Sequence, residues 1–202
     1  AIFENKSFEI VIHLAAMAGV RPSIENPRLY YDVNINGTYN VLEACSKFKP
    51  KKIILASSSS VYGNSKNIPF TETDQVDHPI SPYAATKKMN EVMAFNFFHL
   101  HKIPICCCRF FTVYGPNQRP EMAIHKFTQL IDCNESIPVY NFGKNERDYT
   151  YIDDIIHGLE QIIATSYEYD IVNLGESEVI STEKLVKLIE NELGKKADIK
   201  MM

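Results

Sequence analysis

The sequence predicts an α/β fold built on a doubly wound parallel sheet, with part of a smaller α/β domain following it. Three observations carry that expectation. Apolar runs of strand length alternate with longer runs of helical periodicity, the order that parallel sheets with crossover helices require. The strand candidates are predominantly apolar runs, as expected where helices cover both faces of a sheet. A chain of 202 residues with 45% apolar and 23% charged content is also long and apolar enough to bury a sizeable core.

Taken in order, Phe8 to His13 reads as the first buried strand, Lys52 to Ser57 as the second and Ile105 to Phe111 as the third. Between them lie two long helical patterns, Pro27 to Phe48 and Pro82 to His101, each read as a crossover. Ser81 is the expected N-cap of the latter, with Pro82 at the first helical position, where its missing N–H costs nothing. After Gly115 the units shorten. A helix is expected from about Pro120 to Cys133, strands over Ile137–Phe142 and Arg147–Ile152, a helix over Asp154–Ala164 and a strand over Asp170–Leu174. A last helix, Thr182 to Leu193, is closed by Gly194. There is no internal repeat and no low-complexity linker.

Composition narrows the function. Lys plus Arg is 21 and Asp plus Glu is 25, so a net charge of −4 offers no field for a nucleic acid backbone, and no nucleic-acid partner is expected. The longest apolar-leaning stretch, Phe8 to Val20, contains Glu9 and His13 and falls short of the roughly 20 residues of a spanning helix. No membrane segment and no leader are expected. Cysteine is odd in number at 5, with Cys106, Cys107 and Cys108 consecutive, which frames neither disulfides nor a zinc site. A reducing cytoplasm fits that usage. The 8 glycines are scattered, and none build a glycine-rich phosphate loop.

Tyr83 and Lys87 stand four apart on a predicted helix, where they share a face and an ammonium stabilises a phenolate. Composition alone predicts about one Tyr-x-x-x-Lys pair, and the chain has three. Tyr62/Lys66 and Tyr140/Lys144 lie in turn-like sequence around Gly63 and Gly143, where a spacing of four implies no shared face. Those two are expected to be silent. The run Ser57-Ser58-Ser59-Ser60-Val61-Tyr62-Gly63 closes the second strand, His13-Leu14-Ala15-Ala16 the first and Arg109-Phe110-Phe111-Thr112 the third. Carboxyl ends of parallel strands are where such sheets bind ligands. Other polar candidates are bland: His99 and His101 face different ways on their helix, the cysteine triplet suits a core strand, and Asp153 and Asp154 suit a helix N-terminus.

These motifs, with Tyr31-Asp-Val-Asn-Ile-Asn-Gly-Thr38, Ser81-Pro-Tyr-Ala-Ala-Thr-Lys87, Arg109 to Pro116 and Arg147-Asp-Tyr-Thr-Tyr-Ile-Asp-Asp154, resemble the extended short-chain dehydrogenase/reductases in their nucleotide-sugar epimerase/dehydratase branch. The match covers most of residues 8 to 175. Ala18-Gly-Val-Arg21, the serine run and Gln118-Arg-Pro-Glu-Met-Ala123 look most like UDP-glucuronate 4-epimerases. The resemblance implies an incomplete Rossmann-like sheet, with residues 1–116 as part of an NAD-binding domain, 117–202 mostly a nucleotide-sugar domain, and 137–175 interleaving between them. It implies NAD as cofactor, a UDP-sugar as substrate and a homodimer through the helices near 27–48 and 82–101.

By the same resemblance Tyr83 is the base, Lys87 binds the nicotinamide ribose and lowers the Tyr83 pKa, and Ser58 bonds the reacting hydroxyl. Leu14, Ala15, Ala16, Asn34, Ser57 and Phe110 match cofactor-contacting positions. Ser59, Ser60, Thr112, Arg119, Arg147 and Tyr149 match the substrate region, where an Arg fork suits a diphosphate. Arg119 also reads as a solvated loop residue, and Arg147 as one half of a surface pair with Asp148. Bringing a Tyr from about 10 to 7 takes about 4 kcal/mol, and one partly solvated ammonium supplies at most about half of that. Tyr83 is therefore expected to be a competent base only with the cofactor bound. In the related 4,6-dehydratases an Asp and a Glu follow the residue matching Ser58. Ser59 and Ser60 stand there instead, so elimination lacks its acid and base.

A UDP-glucose-type 4-epimerase, another nucleotide-sugar dehydratase or decarboxylase, and a non-catalytic nucleotide-sugar-binding fragment stay open as alternatives. Members of the branch begin with a strand, a Gly-x-x-Gly-x-x-Gly loop and a helix, whereas Ala1 to Asn5 reads as the approach to a later strand. The chain is expected to be part of a longer polypeptide.

Overall fold

A computed structural model describes residues 2–176 and 178–202. In chain order its elements are α1 (Ile2–Asn5), β1 (Ile10–His13), α2 (Val20–Glu25), α3 (Pro27–Tyr31), a π turn (Asp32–Asn36), α4 (Gly37–Phe48) and β2 (Lys52–Ser58). A 3-10 turn (Ser59–Tyr62) leads towards α5 (Pro82–His101), β3 (Ile105–Phe110), β4 (Thr112–Tyr114), α6 (Ala123–Asp132) and β5 (Ile137–Val139). A second 3-10 turn (Asn141–Gly143) precedes β6 (Glu146–Tyr151), α7 (Ile152–Ala164), β7 (Tyr169–Leu174), β8 (Val179–Ser181), α8 (Thr182–Leu193) and β9 (Ile199–Met201).

The chain separates into two units, Ala1–Phe110 with Gly158–Leu174, and Phe111–His157 with Gly175–Met202. The first holds a wholly parallel four-stranded sheet in the order β1-β2-β3-β7, so the three strands expected from the sequence are joined by a fourth. Its register sets His13 beside Leu55, Leu55 beside Cys107 and Cys107 beside Ile171. Leu55 and Cys107 of that rung enter the core with Ile53, Ile105, Leu42 and Cys45 of α4, Ala94 of α5 and Ile103. Cys106, Cys107 and Cys108 are all buried strand residues, as their sequence suggested.

Helical structure runs from Pro27 to Phe48 as expected, but with one π turn in it, which the pattern did not reveal. Ser81 accepts from the Ala84 N–H at 3.1 Å with Pro82 in the first turn, the predicted start of α5. α7 begins at Ile152, two residues early, with Asp153 and Asp154 in its first turn.

The second unit carries a sheet ordered β4-β6-β8, with β4 and β6 parallel and β6 and β8 antiparallel, and a parallel pair β5-β9. α6 and α8 pack Phe127, Ile131, Leu185, Val186 and Ile189 on Ile137 and Val139. The units divide after Phe110 rather than after Pro116, because β4 pairs with β6 rather than extending β3, and residues 158–174 are the part that returns to the first unit. β5 stops at Val139, short of Phe142, because Asn141 and Phe142 adopt left-handed φ values of 50° and 51°. At Gly115 φ is +151° and a Cβ would lie 2.6 Å from Ile152, so only glycine fits between β4 and α6. Among the described residues no helix is long and apolar enough to cross a membrane.

Candidate active site

Parallel strands end on the same edge, so His13, Ser58 and Phe110 close β1, β2 and β3 together, and Ser58 is the register partner of Phe110. Beyond β1 the chain opens: Leu14 is 54% exposed and Ala15 is exposed, leaving backbone and small side chains available to a ligand. Asn34 shapes the segment that follows. The π turn sets its side chain inward, only 1% exposed, where Oδ1 accepts from the Met17 N–H at 2.8 Å and Nδ2 donates to the Met17 carbonyl at 3.0 Å and to Thr86 Oγ1 at 3.0 Å. Thr86 in turn donates to the Tyr83 carbonyl at 2.8 Å. Asn34 therefore links the loop after β1 to the first turns of α5, an arrangement in keeping with the use of π turns at functional sites.

Tyr83 and Lys87 project from one face of α5, and of the three Tyr-x-x-x-Lys pairs only this one is helical. Tyr83 is half-buried and packs edge-on against Tyr30 with ring centres 6.3 Å apart. Lys87 is 4% exposed; its Nζ donates to the Ala56 carbonyl at 2.7 Å and lies 5.9 Å from the Tyr83 ring centre. Burial pulls its pKa down from 10.5 to about 8. His13 is lowered too, first by burial and then by the Lys87 charge, and its Nε2 lies 3.1 Å from Thr38 Oγ1.

Ser58 is buried and caps the 3-10 turn, its Oγ accepting from the Ser60 N–H and donating to Ser60 Oγ, both at 3.2 Å. Ser59 and Ser60 follow it on that turn, and neither brings a carboxylate. Ser57 faces elsewhere. Its hydroxyl donates to Glu91 Oε1 at 2.6 Å inside the protein, which leaves its backbone rather than its side chain for a cofactor. Tyr62, which ends the 3-10 turn, is a buried interior group: it is 4% exposed, stacks on Phe70 and its hydroxyl accepts from Arg109 Nη1 at 2.9 Å and donates to Asn173 Oδ1 at 2.7 Å.

In the second unit the β4–β6 register sets Thr112 beside Tyr149. Arg147 is exposed and donates to the Glu146 carbonyl at 2.8 Å, while Asp148 is buried and accepts from Thr150 and the Glu176 N–H, so Asp148 shapes an interior turn. Arg119 pairs with Glu121 at 3.0 Å in solvent, an interaction worth about 0–1 kcal/mol and easily exchanged for a ligand.

The polar residues that sequence reasoning missed are Thr38, Thr86, Asn90, Glu91 and, as a side chain, Arg109. Glu91 stands one turn beyond Lys87, the spacing that singled out Tyr83 and Lys87, and following the same face one step further finds it.

A parallel sheet whose strand ends gather a half-buried tyrosine, a desolvated lysine and a capped serine defines the class of short-chain dehydrogenase/reductase-like nucleotide-binding folds. Residues 1–202 match the family model described as GDP-mannose 4,6 dehydratase, and the chain belongs to that family of NAD-dependent epimerases and dehydratases. It is 46% identical over 197 residues to a UDP-glucuronate 4-epimerase of Thermodesulfobacterium geofontis, covering 97% of this chain and 60% of that protein. It is 44% identical over 214 residues to the protein CapI of Staphylococcus aureus, covering 97% and 64%. Among solved structures it resembles the UDP-glucuronic acid 4-epimerase of Bacillus cereus in complex with UDP-glucuronic acid and NAD, at 34% identity and a TM-score of 0.92, covering 100% of this chain and 64% of that one. The chain thus spans less than two thirds of the length of these relatives.

Proposed function

We propose that the protein to which this chain belongs is an NAD-dependent UDP-sugar 4-epimerase, acting on UDP-glucuronate to give UDP-galacturonate. The observation that carries this reading is the pairing of Tyr83 with a desolvated Lys87 bonded to Ala56, two residues before Ser58 at a parallel-strand edge, with Ser59 and Ser60 where elimination chemistry needs acids. The described residues fit a dinucleotide: the exposed Leu14–Ala15 backbone, the loop held by Asn34 and the buried Lys87 amine form one polar edge around Tyr83. NAD, when bound, supplies reversible hydride exchange with carbon 4 of the sugar, inverting it when the hydride returns to the opposite face.

The chain's own residues handle the proton. Tyr83 takes the proton of the 4-hydroxyl and returns it to the 4-oxygen. Ser58 holds that oxygen by a hydrogen bond, and Lys87 stabilises the phenolate by its charge. Leu14, Ala15, Ala16, Phe110 and the backbone of Ser57 contact the cofactor, while Asn34, buried and bonded to Met17 and Thr86, acts by holding the loop after β1. Ser59, Ser60, Thr112, Arg119, Arg147 and Tyr149 contact the nucleotide sugar, the arginines at the diphosphate. Neutral hydroxyls at 59 and 60 tolerate a substrate carboxylate that an Asp/Glu pair would repel. The relatives named as UDP-glucuronate 4-epimerases support that choice. The five cysteines, all free, favour a reducing cytoplasm, and the protein acts as a homodimer through its two long helical segments.

The test is made on the full-length protein. Tyr83→Phe is expected to abolish interconversion while leaving the NAD Kd within a few-fold of the parent, because the ring still packs on Tyr30. Near-parental turnover in that variant refutes the base assignment. The ratio of kcat/KM for UDP-glucuronate over UDP-glucose is expected to exceed ten. A preference for UDP-glucose, or release of a 4-keto-6-deoxy sugar or of CO₂, moves the protein to a sibling activity.

A further inference from the structure

Lys87 and Glu91 occupy successive turns of α5, and they reach successive residues of β2: Lys87 donates to the Ala56 carbonyl, while Glu91 accepts from Ser57. Ser58 comes next. Glu91 is 2% exposed and holds Arg109, 1% exposed, through Nε to Oε1 at 2.9 Å and Nη2 to Oε2 at 3.0 Å; Lys88 Nζ lies 3.7 Å from Oε2. Arg109 is the register partner of both Ser57 and Asn173, so the pair crowns one polar rung across β2, β3 and β7, tied off by the Tyr62 hydroxyl.

The fully buried residues of α5 are Ala84, Thr86, Lys87, Asn90, Glu91 and Ala94, of which only the two alanines are apolar; the larger Met93, Phe97 and Phe98, partly buried, pack on the core in the second half of the helix. Alanines are small enough to slide. The half that carries Tyr83 and Lys87 has Ala84 as its one fully buried apolar side chain, whereas a two-pronged guanidinium–carboxylate contact there fixes both distance and direction. A slip of one turn is 5.4 Å, and even an ångström displaces Lys87 from the Ala56 carbonyl and shifts Tyr83, one turn before it, by as much.

We propose that the buried Glu91–Arg109 pair is a positioning device, which sets the register of α5 on β2 and so places Tyr83 and Lys87 against Ser58. It rests on the reading of Tyr83 and Lys87 as the reacting pair. Arg109 has a second duty: by neutralising Glu91 it leaves Lys87 free to serve the Tyr83 side of the helix rather than its own neighbour one turn on.

The experiment uses the full-length protein and the double substitution Glu91→Leu/Arg109→Met, which removes both charges together. Buried ion pairs replaced in this way often leave stability unchanged or improved. The Lys87 titration is followed by NMR of 13Cε-labelled lysine, assigned by its loss in Lys87→Met. In the parent the midpoint is expected near the depressed value of about 8. In the folded double variant it is expected to rise by a unit or more, as the amine leaves its carbonyl for water. Epimerase kcat falls by roughly 30- to 100-fold with KM within about threefold, as for an ångström-scale misplacement. Arg109→Lys, which keeps the charge but loses the fork, falls between parent and double variant. A folded double variant with an unmoved Lys87 midpoint, or with a moved midpoint and parental kcat, overturns the proposal. Should the double variant fail to fold, Ser57→Ala and Arg109→Lys carry the test, and an unmoved midpoint in both overturns it. A parent that interconverts no UDP-sugar while the midpoint shifts as expected overturns the proposed function and supports the positioning role.

Discussion

Lys87 shows how a single side chain couples stability to chemistry. Its ammonium is buried against one carbonyl, and desolvation lowers its pKa from 10.5 to about 8. Below about pH 8 the folded protein bears the whole cost of holding that charge out of water, about 3 kcal/mol for a gap of this size. Between about 8 and 10.5 the unfolded chain binds more protons than the folded one, so this group's contribution to stability rises with pH across that window. Lys87→Met removes the penalty and strands the Ala56 carbonyl, which costs roughly 1 kcal/mol. The variant is therefore expected to be about 2 kcal/mol more stable than the parent at pH 7, with the gain shrinking to nothing towards pH 10. Denaturant midpoints of parent and variant at pH 7, 8, 9 and 10 measure this directly. A variant less stable than the parent at pH 7 means that the lysine carries no desolvation cost. A site that tolerates such a penalty is one that needs a cation, because a lysine that titrates close to neutrality still offers its charge to a phenolate at pH 7.

At the scale of elements, α5 is specified at its start by Ser81 and Pro82 and along its length by polar contacts. Ser81→Ala is expected to cost about 1 kcal/mol, and Ser81→Gly only a few tenths, the pattern of a true N-cap. Equal losses in chemical denaturation of the two variants would mean that the Ser81 Oγ to Ala84 N–H contact contributes nothing. This start was legible because its signal is local, and so was Gly194 at φ 63°, closing α8. The long strands were legible because continuous apolar runs have few other homes. The strands β4, β8 and β9 were not, since three residues carry no period and their pairing is decided by partners far along the chain. The π turn at Asp32–Asn36 hid for a related reason: its residues suit an α-helix, and Asn34 turns inward because Met17 and Thr86 await it there. At the site, Tyr83, Lys87 and Ser58 announced themselves by spacing and by strand ends. Glu91 and Arg109 did not, because a charged residue in an isolated sequence reads as solvated until its buried partner is known. The burial of Tyr62, 4% exposed at the end of its turn, was hidden on the same ground.

For the molecule as a whole, the unexplained surface is the outer face of the long helical segments. Met89 is 44% exposed and Val92 59%, three residues apart on α5, and Val33 and Tyr39 are 40% and 45% exposed on the other segment. Tyr39 packs edge-on against Phe97 of α5 at 6.0 Å, so the two segments present their apolar side chains as neighbours. Side chains of this size gathered on one surface call for a partner, and a face contributed equally by two copies is self-complementary under a two-fold axis. The homodimer proposed above places this face at its centre. Val92→Glu then sets a carboxylate opposite apolar surface, and opposite its own copy if the axis passes close by, with no buried partner to offset it. Light scattering on the full-length protein at tens of micromolar is expected to give twice the protomer mass for the parent and the protomer mass for Val92→Glu, with far-ultraviolet circular dichroism unchanged between them. Because Val92 points away from Lys87 and Glu91, loss of the dimer is separable from damage to the site, and the NAD Kd of the variant reports which has occurred. A parent that runs as a monomer, or a Val92→Glu variant that keeps the dimer mass, places the subunit contact elsewhere and leaves this face to another partner.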